Sequence, residues 1–254
     1  MQAAALVEAG LRAALAAAGC VHVLAGFDLY RVPVGHPFLH SLALPRGEPP
    51  AIADRAEAID ELIRFCAALG LVPRIELVAE RRAGLRDALA ARGFRRAFAV
   101  PVLAAVPSQL DPGPGEALRL SGRTPERLLR ATLSAQHRIL GAAEPSPAEY
   151  AAWRACLEAD TVRTWIRLDG QGEPAAAASL LGGAPAVELA GLWSRADLRG
   201  RGLARSVARA ALAAAGEGGC LLVWAGAANP ASLRLLSRLG LHPGGTLEGW
   251  ERLD

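Results

Sequence analysis

The chain of 254 residues is 52% hydrophobic and carries a formal charge of +3, so it can bury one large core or two modest ones. Acidic and basic residues are interspersed without a basic run, which argues against nucleic acid or an anionic membrane as the main partner. Residues 1–19 contain Glu8 and Arg12 and lack the pattern of a leader peptide or a membrane span. We therefore expect a cytoplasmic protein without a membrane partner.

The four cysteines offer no metal site. Cys20, Cys66, Cys156 and Cys220 lie far apart, with no C-x-x-C pair and no histidine at ligand spacing. A zinc site or a disulfide framework needs closely spaced ligands or paired thiols. No bound metal is expected.

A segment rich in proline and glycine, residues 105–115 (AVPSQLDPGPG), interrupts the helix and strand patterns. It predicts a linker over 107–115. The linker would separate an N-terminal domain, 1–106, from a C-terminal domain, 116–254, and both are of ordinary domain size.

The second half alternates between strand and helix patterns. Ser146 and Glu149 form a capping box that predicts the start of a helix. Pro230 and Gly240 mark the ends of another helix. In order, the patterns predict a strand at 117–122, helices over 125–140 and 146–159, a hairpin turning at 169–172, a strand at 186–193, a helix from about 202, a strand at 220–226, a helix at 230–240 and a last strand at 245–253.

The two halves resemble each other at one fixed offset. A shift of 147 positions lays residues 74–94 over 221–241 without a gap, strand over strand and helix over helix. The same shift lays a helix at 1–13 over one at 148–160. Similarity at a constant offset over several elements indicates a tandem duplication.

A run of arginine and glycine, residues 199–204 (RGRGLA), lies between a predicted strand and a predicted helix. The pattern R-x-x-G-x-[GA] is expected about once by chance in this composition, so its setting carries the argument. Free N–H groups and the dipole at a helix N-terminus attract phosphate, and glycines let it approach. No Gly-Lys-Ser/Thr follows, and G-x-G-x-x-G is absent, which excludes a Walker A loop and disfavours a Rossmann fingerprint.

Two segments in order, "LWSRADLRGRGLA" (192–204) and "NPASLRLLSRLGL" (229–241), resemble the GCN5-related N-acetyltransferase (GNAT) superfamily over about 117–253. The resemblance implies an α/β (α+β) fold with a mixed, mostly antiparallel sheet flanked by helices. Together with the internal repeat, it implies two tandem copies, of which the N-terminal copy is degenerate.

The resemblance also implies a binding site for acetyl-CoA as co-substrate. In the family, the fourth and fifth strands splay apart and the co-substrate occupies the gap. The residues that would line the pantetheine and the acetyl carbonyl are Leu192, Trp193 and Ser194, with Asn229 on the pantetheine arm. Those that would hold the pyrophosphate are Arg199, Gly200, Arg201, Gly202, Leu203, Ala204 and Arg205.

The chemistry that the resemblance implies is direct acetyl transfer to an amine. The backbone N–H of Ser194 would stabilise the oxyanion, and Glu188 is the candidate base, unless it is an ordinary solvent-facing strand residue. Leu236 and Trp224 stand where some members carry an ionisable acid or base, which argues against the subgroup that acetylates peptide N-termini. Solvent could then protonate the thiolate. The fallback candidates for acid or base are Tyr150, His137, Asp160 and His242.

The first half keeps the framework without the phosphate loop. The 147 shift lays 199–204 over 52–57, which has no glycine and whose Asp54 and Glu57 would repel phosphate. We expect this half not to bind CoA but to wall the acceptor pocket. Candidate substrate-facing residues, which could equally be ordinary strand and loop residues, are Phe27, Tyr30, His36, Phe38 and His40.

The sequence favours an acetyl-CoA-dependent N-acetyltransferase that acts on a primary amine of a small molecule or protein, as a monomer or homodimer. The first alternative is a non-catalytic acyl-CoA-binding module with a sensing or structural role, which Leu236 and Trp224 would fit. The second is a nucleic-acid binder that uses Arg195, Arg199, Arg201 and Arg205, against which the scattered charge argues.

Overall fold

The computed structural model describes residues 3–33, 36, 39–47, 52–110, 115–227 and 229–253, with only the backbone at 52–54 and 83. The helices are α1 (Ala3–Ala18), α2 (Ile52–Ala68), α3 (Ala83–Ala90), α4 (Glu126–Ile139), α5 (Pro147–Glu158), α6 (Leu203–Glu217) and α7 (Pro230–Arg238). The strands are β1 (Cys20–Val23), β2 (Phe27–Arg31), β3 (Leu42–Pro45), β4 (Arg74–Val78), β5 (Arg95–Ala105), β6 (Leu118–Arg119), β7 (Val162–Leu168), β8 (Pro174–Gly183), β9 (Ala186–Ser194), β10 (Leu222–Gly226) and β11 (His242–Glu251). Among the helices described, none has the length and apolar character that a bilayer crossing requires.

All these strands join one sheet, in the order β1-β2-β3-β4-β11-β5-β10-β9-β8-β7-β6. The pairs β3–β4 and β9–β10 are parallel, and the other neighbours are antiparallel. Helices pack on both faces. The predicted α/β (α+β) class, with a mixed and mostly antiparallel sheet flanked by helices, is confirmed.

The two long strands at the centre of the sheet come from opposite halves of the chain. β5 precedes the predicted linker, yet it lies between β10 and β11. β11 is the last of the described strands in sequence, yet it lies between β5 and β4 of the first half. Each half therefore places a strand next to strands of the other half, and the sheet runs through both without an edge between them.

The order of elements repeats at the spacing that the sequence predicts. The series α2, β4, α3, β5 recurs as α6, β10, α7, β11. A shift of 147 carries Arg74–Val78 to 221–225, over β10, and Arg95–Ala105 to 242–252, over β11. In the predicted linker, residues 107–109 form a single 3₁₀ turn and Leu110 is buried, whereas 111–114 lie outside the described residues. The division into two domains stays a prediction.

The helix α1 packs across the middle of one sheet face, which we call the α1 face. Its Leu11 and Leu15 share a core with Val78 from β4 and Trp224 from β10. Contact is close because Gly10 has no side chain: a Cβ there would lie 2.8 Å from the Cβ of Ala186 on β9. The opposite face carries α2 and α3 on the first half and α6 on the second.

The exchange of β5 and β11 predicts that the C-terminal half cannot fold alone. A fragment of residues 116–254 lacks β4 and β5, so the outer edge of β10 and both edges of β11 would lose their hydrogen-bond partners. We expect this fragment to lack a cooperative urea transition by circular dichroism, and a mixture with fragment 1–115 to regain one. A cooperative transition of 116–254 alone, equal to that of the full chain, would contradict the exchange.

Candidate functional site

The parallel strands β9 and β10 part after three residue pairs. Their ladder runs from Ala186 opposite Leu222 to Glu188 opposite Trp224 and stops there. The ladder between β8 and β9 is irregular near Gly191, whose φ is +55°, which is typical of a bulge that bends a strand. Beyond Glu188, β9 and β10 therefore diverge, and the backbone groups on their facing edges have no partner in the sheet.

The gap between β9 and β10 beyond Glu188, which we call the fork, opens into a cleft of about 380 Å³ between β9, β10, α4 and α7. Its lining residues are Gln136, Leu140, Glu188, Leu189, Ala190, Gly191, Leu192, Trp193, Ala225, Gly226, Asn229, Ser232 and Leu236. The predicted Glu188, Leu192, Trp193 and Asn229 thus come together here. Sequence reasoning missed Gln136 and Leu140, because it gave no indication that α4 packs against this part of β9.

The backbone of Ser194 faces the fork rather than the neighbouring strand. The N–H of Arg195 donates to the carbonyl of Ala175 at the start of β8, at 2.9 Å. Since successive backbone groups of an extended strand point to opposite edges, the N–H of Ser194 points to the side of β10. This is the orientation that an oxyanion donor in the fork requires.

The helix α6 begins next to the fork with an open N-terminus. Gly202 is its N-cap at φ +77°, and no side chain caps the helix. The N–H groups of Leu203, Ala204 and Arg205 therefore have no acceptor within the helix. A Cβ added to Gly200 or Gly202 would meet no atom within 4 Å, so the space above these N–H groups is free. The predicted glycines thus frame an anion-sized opening.

A second cleft, of about 340 Å³, lies over this helix terminus. Arg205, Arg234 and Arg238 line it, and none of the three makes an ion pair with the residues described. Arg199 and Arg201 are exposed on the loop outside its walls. Sequence reasoning missed Arg234 and Arg238, although their spacing of four places them on one face of α7. Unpaired guanidinium groups beside free N–H donors give this cleft a positive electrostatic potential.

The two clefts lie next to each other. On β9, Trp193 lines the first cleft and its neighbour Ser194 lines the second. On α7, Leu236 lines the first cleft and its neighbour Leu235 lines the second. At their junction, the side-chain oxygen of Asn229 accepts hydrogen bonds from the N–H groups of Ala231 and Ser232, at 3.0 and 2.9 Å. This cap uses the oxygen and leaves the amide N–H₂ available to a ligand in the cleft.

Glu188 lies at the inner end of the fork with an apolar neighbour. Its partner in the ladder, Trp224, is 1% exposed and points to the same face of the sheet. The half-buried Glu188 carboxyl has neither a hydrogen bond nor an ion pair among the described residues. Burial, with the charge of Glu76 as a second cause, raises its pKa to about 8. In its ionised form, this carboxylate is a stronger base than an ordinary glutamate and can accept a proton from a cationic amine.

The fork contains no second ionisable group on α7 or β10. Leu236 is 2% exposed and lines the cleft, and Trp224 is buried beside Glu188. The fallback candidates lie elsewhere. Tyr150 packs in the core under Arg130, Asp160 pairs with Arg119, His137 contacts the carbonyl of Ala143, and His242 is exposed on β11.

In the first half, the space that corresponds to the phosphate cleft is filled. The 147 shift carries Asn229 to Arg82, whose guanidinium is 3% exposed, pairs with Glu8 at 2.9 Å and reaches the carbonyl of Gly47. The cavity that Arg82 lines together with Arg55 and Ala58 of α2 measures about 20 Å³. A separate groove of about 440 Å³ is lined by Arg82 together with Glu8 and Asp28. Glu57 is exposed on α2, and the side chain of Asp54 lies outside the described residues.

The candidate substrate-facing residues of the first half lie in different environments. Phe27 and Tyr30 are 2% and 4% exposed and belong to the core. His36 is buried, and its Nδ1 accepts a hydrogen bond from the N–H of Leu39 at 3.0 Å. Phe38 lies outside the described residues. Phe27 borders the small cavity beside Arg82, and His40 lines a surface groove, which it shares with Glu76.

Metal ligands are not gathered anywhere in the described ranges. They contain no group of three or more histidine, cysteine, aspartate or glutamate side chains that could hold an ion.

Part of the chain matches a known protein family. Residues 129–241 match the model of the acetyltransferase (GNAT) family. Among curated proteins, none matches the sequence significantly. The family match lies within residues 117–253, over which the sequence resembles the GNAT superfamily, and the solved structures below share the fold.

Three solved structures share the fold at low identity. A GCN5-related N-acetyltransferase from Kribbella flavida is 21% identical, with a TM-score of 0.78 over 100% of this chain and 97% of that one. Another from Sphaerobacter thermophilus is 15% identical, with a TM-score of 0.63 over 100% and 94%. A tandem GNAT protein from the clavulanic acid biosynthesis pathway is 17% identical, with a TM-score of 0.60 over 89% and 77%.

The raised pKa of Glu188 predicts a pH-dependent gain of stability in Glu188→Gln. Between the unfolded pKa of 4.5 and the folded pKa of about 8, the folded chain binds more protons, so its stability falls as the pH rises. Glutamine does not ionise. The variant should therefore exceed the wild type by about 1–3 kcal/mol in urea unfolding at pH 9, after allowance for partial exposure, and by little at pH 4.5. Equal differences at both pH values would contradict the assignment, and the exposed Glu217→Gln is the matched control.

Proposed function

We propose that the protein is an acetyl-CoA-dependent N-acetyltransferase that acts on a primary amine of a small molecule or protein. One observation carries the proposal: two neighbouring clefts lie between the open N-terminus of α6 and the carboxyl of Glu188, one at the helix terminus and one in the fork between β9 and β10. An anion site at one end and a base at the other match a co-substrate that carries phosphates and a reactive acyl group.

The residues of the cleft fit acetyl-CoA. The N–H groups of Leu203, Ala204 and Arg205, uncovered by Gly200 and Gly202, would hold the pyrophosphate. Charge from Arg205, Arg234 and Arg238 would add to this binding, with Arg199 and Arg201 at the rim. The facing edges of β9 and β10 and the free amide of Asn229 offer hydrogen bonds to the pantetheine, whose peptide-like groups could replace the missing ladder.

When bound, acetyl-CoA supplies an activated acetyl thioester. In this scheme Glu188 accepts the proton of the acceptor amine, which allows the nitrogen to form the new C–N bond as the C–S bond breaks. The N–H of Ser194 donates to the carbonyl oxygen as negative charge develops on it. Because Leu236 cannot donate a proton, solvent protonates the departing thiolate.

We infer that the first half is a degenerate copy that supports the site without binding CoA. The repeated element order, the exchange of β5 and β11 and the cavity filled by Arg82 support this, as does the fold shared with a tandem GNAT protein. The domains would be 1–106 and 116–254, with 107–115 between them. A cytoplasmic monomer or homodimer, without nucleic acid or membrane as a partner, completes the proposal.

A non-catalytic acyl-CoA-binding module remains the second candidate function, with a sensing or structural role. Leu236 and Trp224 favour it, since neither can exchange a proton at the fork. The nucleic-acid alternative is weaker because Arg195 is already paired with Asp169 and Asp197, at 2.7 and 2.8 Å.

Acetyl-CoA binding is expected to depend on the open space at Gly202. An indole in Gly202→Trp would occupy the position of the pyrophosphate, so the micromolar affinity expected of the wild type should weaken at least about 100-fold, the loss of roughly two charge-assisted hydrogen bonds. Calorimetric titration measures it. Gly172→Trp is the matched control, because its φ of +81° and open surroundings give the same backbone strain away from the cleft. Unchanged affinity in Gly202→Trp would refute the binding site.

Turnover separates the two candidate functions. With an accepted amine, Glu188→Gln should lower kcat by about 10²–10⁴-fold and leave the Kd of acetyl-CoA within about twofold, since the side chain acts only on the proton. The kcat/KM of the wild type should rise with pH through about 8 as Glu188 ionises. Thiol release followed across the pH range measures both. An identical profile in the variant would remove Glu188 from the mechanism, and acetyl-CoA binding without turnover on any amine would favour the module.

A further inference from the structure

A groove of about 240 Å³ extends the α1 face beyond the fork, on strands of the first half and β11. His40, Arg74, Glu76, Phe98 and Trp250 are among its lining residues. Phe98 is 39% exposed, which is unusual for a phenylalanine on a central strand. The groove therefore combines an accessible aromatic wall with a carboxyl group.

Glu76 is left without a partner in this groove. Most acidic side chains in the described part of the chain form ion pairs or hydrogen bonds, as Glu251 does with Arg74 at 3.5 Å. Those without a partner are exposed, apart from Glu76 and Glu188, which are both half-buried. An unpaired carboxylate at this depth is costly to the fold unless it takes up a proton or a cation neutralises it.

The two carboxyl groups share one face of the sheet. Ile75 and Leu77 pack into the core under α2 and α3, so Glu76 between them points to the α1 face. Val187 and Leu189 pack under α6, on the same side of the sheet as Ile75 and Leu77. Glu188, which lies between them in the strand, therefore also points to the α1 face. On the strands between the two carboxyl groups, the ring of Phe98 lies over Gly249, and the side chain of Val100 lies beside Gly226.

The two groups are electrostatically coupled. The charge of Glu76 is a cause of the raised pKa of Glu188, and burial raises the pKa of Glu76 itself. The other charged or titratable groups in the groove do not neutralise the pair. Arg74 is engaged by Glu251, and burial together with Arg74 lowers the pKa of His40, which leaves its ring neutral at pH 7.

We propose that Glu76 binds a second cationic group of the acceptor, and that the acceptor class is small molecules with two positive charges, of which the α,ω-diaminoalkanes are the simplest. This inference rests on the proposed function for the identity of the reacting end. One ammonium group gives its proton to Glu188 and reacts, while the other forms an ion pair with Glu76 beside Phe98. Glu76 is thus a specificity-determining residue that the first half contributes to the site of the second.

The test compares diaminoalkanes of three to six carbons with the monoamines of equal length, in the full chain saturated with CoA or acetyl-CoA. Direct binding is measured by calorimetry with CoA, and KM and kcat with acetyl-CoA. The wild type should bind the best diamine about 10- to 100-fold more tightly than its monoamine, as expected for one buried ion pair. Glu76→Gln should lose most of this preference, with the larger change in the KM of the diamine. Glu217→Gln, exposed on α6, should keep it.

The outcomes separate this inference from the proposed function. Diamine binding that Glu76→Gln weakens, without turnover, supports the cation subsite and refutes acetyl transfer. Acetyl transfer with equal KM for diamines and monoamines, or a preference that Glu76→Gln retains, refutes the subsite and leaves the transferase intact. A wild type that neither binds diamines nor acetylates them refutes the subsite as well.

Discussion

The site depends on the point at which β9 and β10 stop pairing. Each strand is held on its far edge, β9 by β8 and β10 by β5, so the gap between them is a fixed feature of the sheet rather than a frayed end. The bulge near Gly191 turns β9 away, and the facing backbone groups lose their partners. A polar chain that enters the gap would satisfy those groups, and the fork therefore places a ligand between the open end of α6 and Glu188.

The two ends of the site carry opposite charge. Arg205, Arg234 and Arg238 surround the end where α6 begins, and Glu188 and Glu76 occupy the α1 face at the other end. An anionic co-substrate and a cationic acceptor would each meet an opposite charge. The acidic end draws on both halves of the chain, because Glu76 belongs to β4. This gives a physical reason for a chain to keep a half whose own cleft is filled by Arg82.

Local features of the site could be predicted from the sequence. The start of α6 at Gly202 and the cap of α7 at Asn229 follow from residues that act within one turn of a helix. The parting of β9 and β10 and the place of Glu188 came from the resemblance to a family rather than from periodicity. The similarity at an offset of 147 positions anticipated the order of elements, because segments with the same local pattern form the same elements.

Long-range contacts could not be predicted in this way. The alternation of apolar and polar residues identifies β5 and β11 as strands, but it does not indicate which strands they pair with. Their exchange between the two halves was therefore missed. Arg234, Arg238 and Glu76 were missed for the same reason, since their importance arises from a cleft that other elements close. Phe27 and Tyr30 were offered as substrate contacts, yet they fill the core, because an aromatic residue on a short strand packs inward when helices cover that face.

The most direct test is a crystal structure of the full chain with CoA. The account predicts that the pyrophosphate oxygens lie within hydrogen-bond distance of the N–H groups of Leu203, Ala204 and Arg205, and that the pantetheine runs between β9 and β10 toward Glu188. CoA bound in another cleft, or a fork closed by pairing of β9 with β10 beyond Glu188, would contradict it.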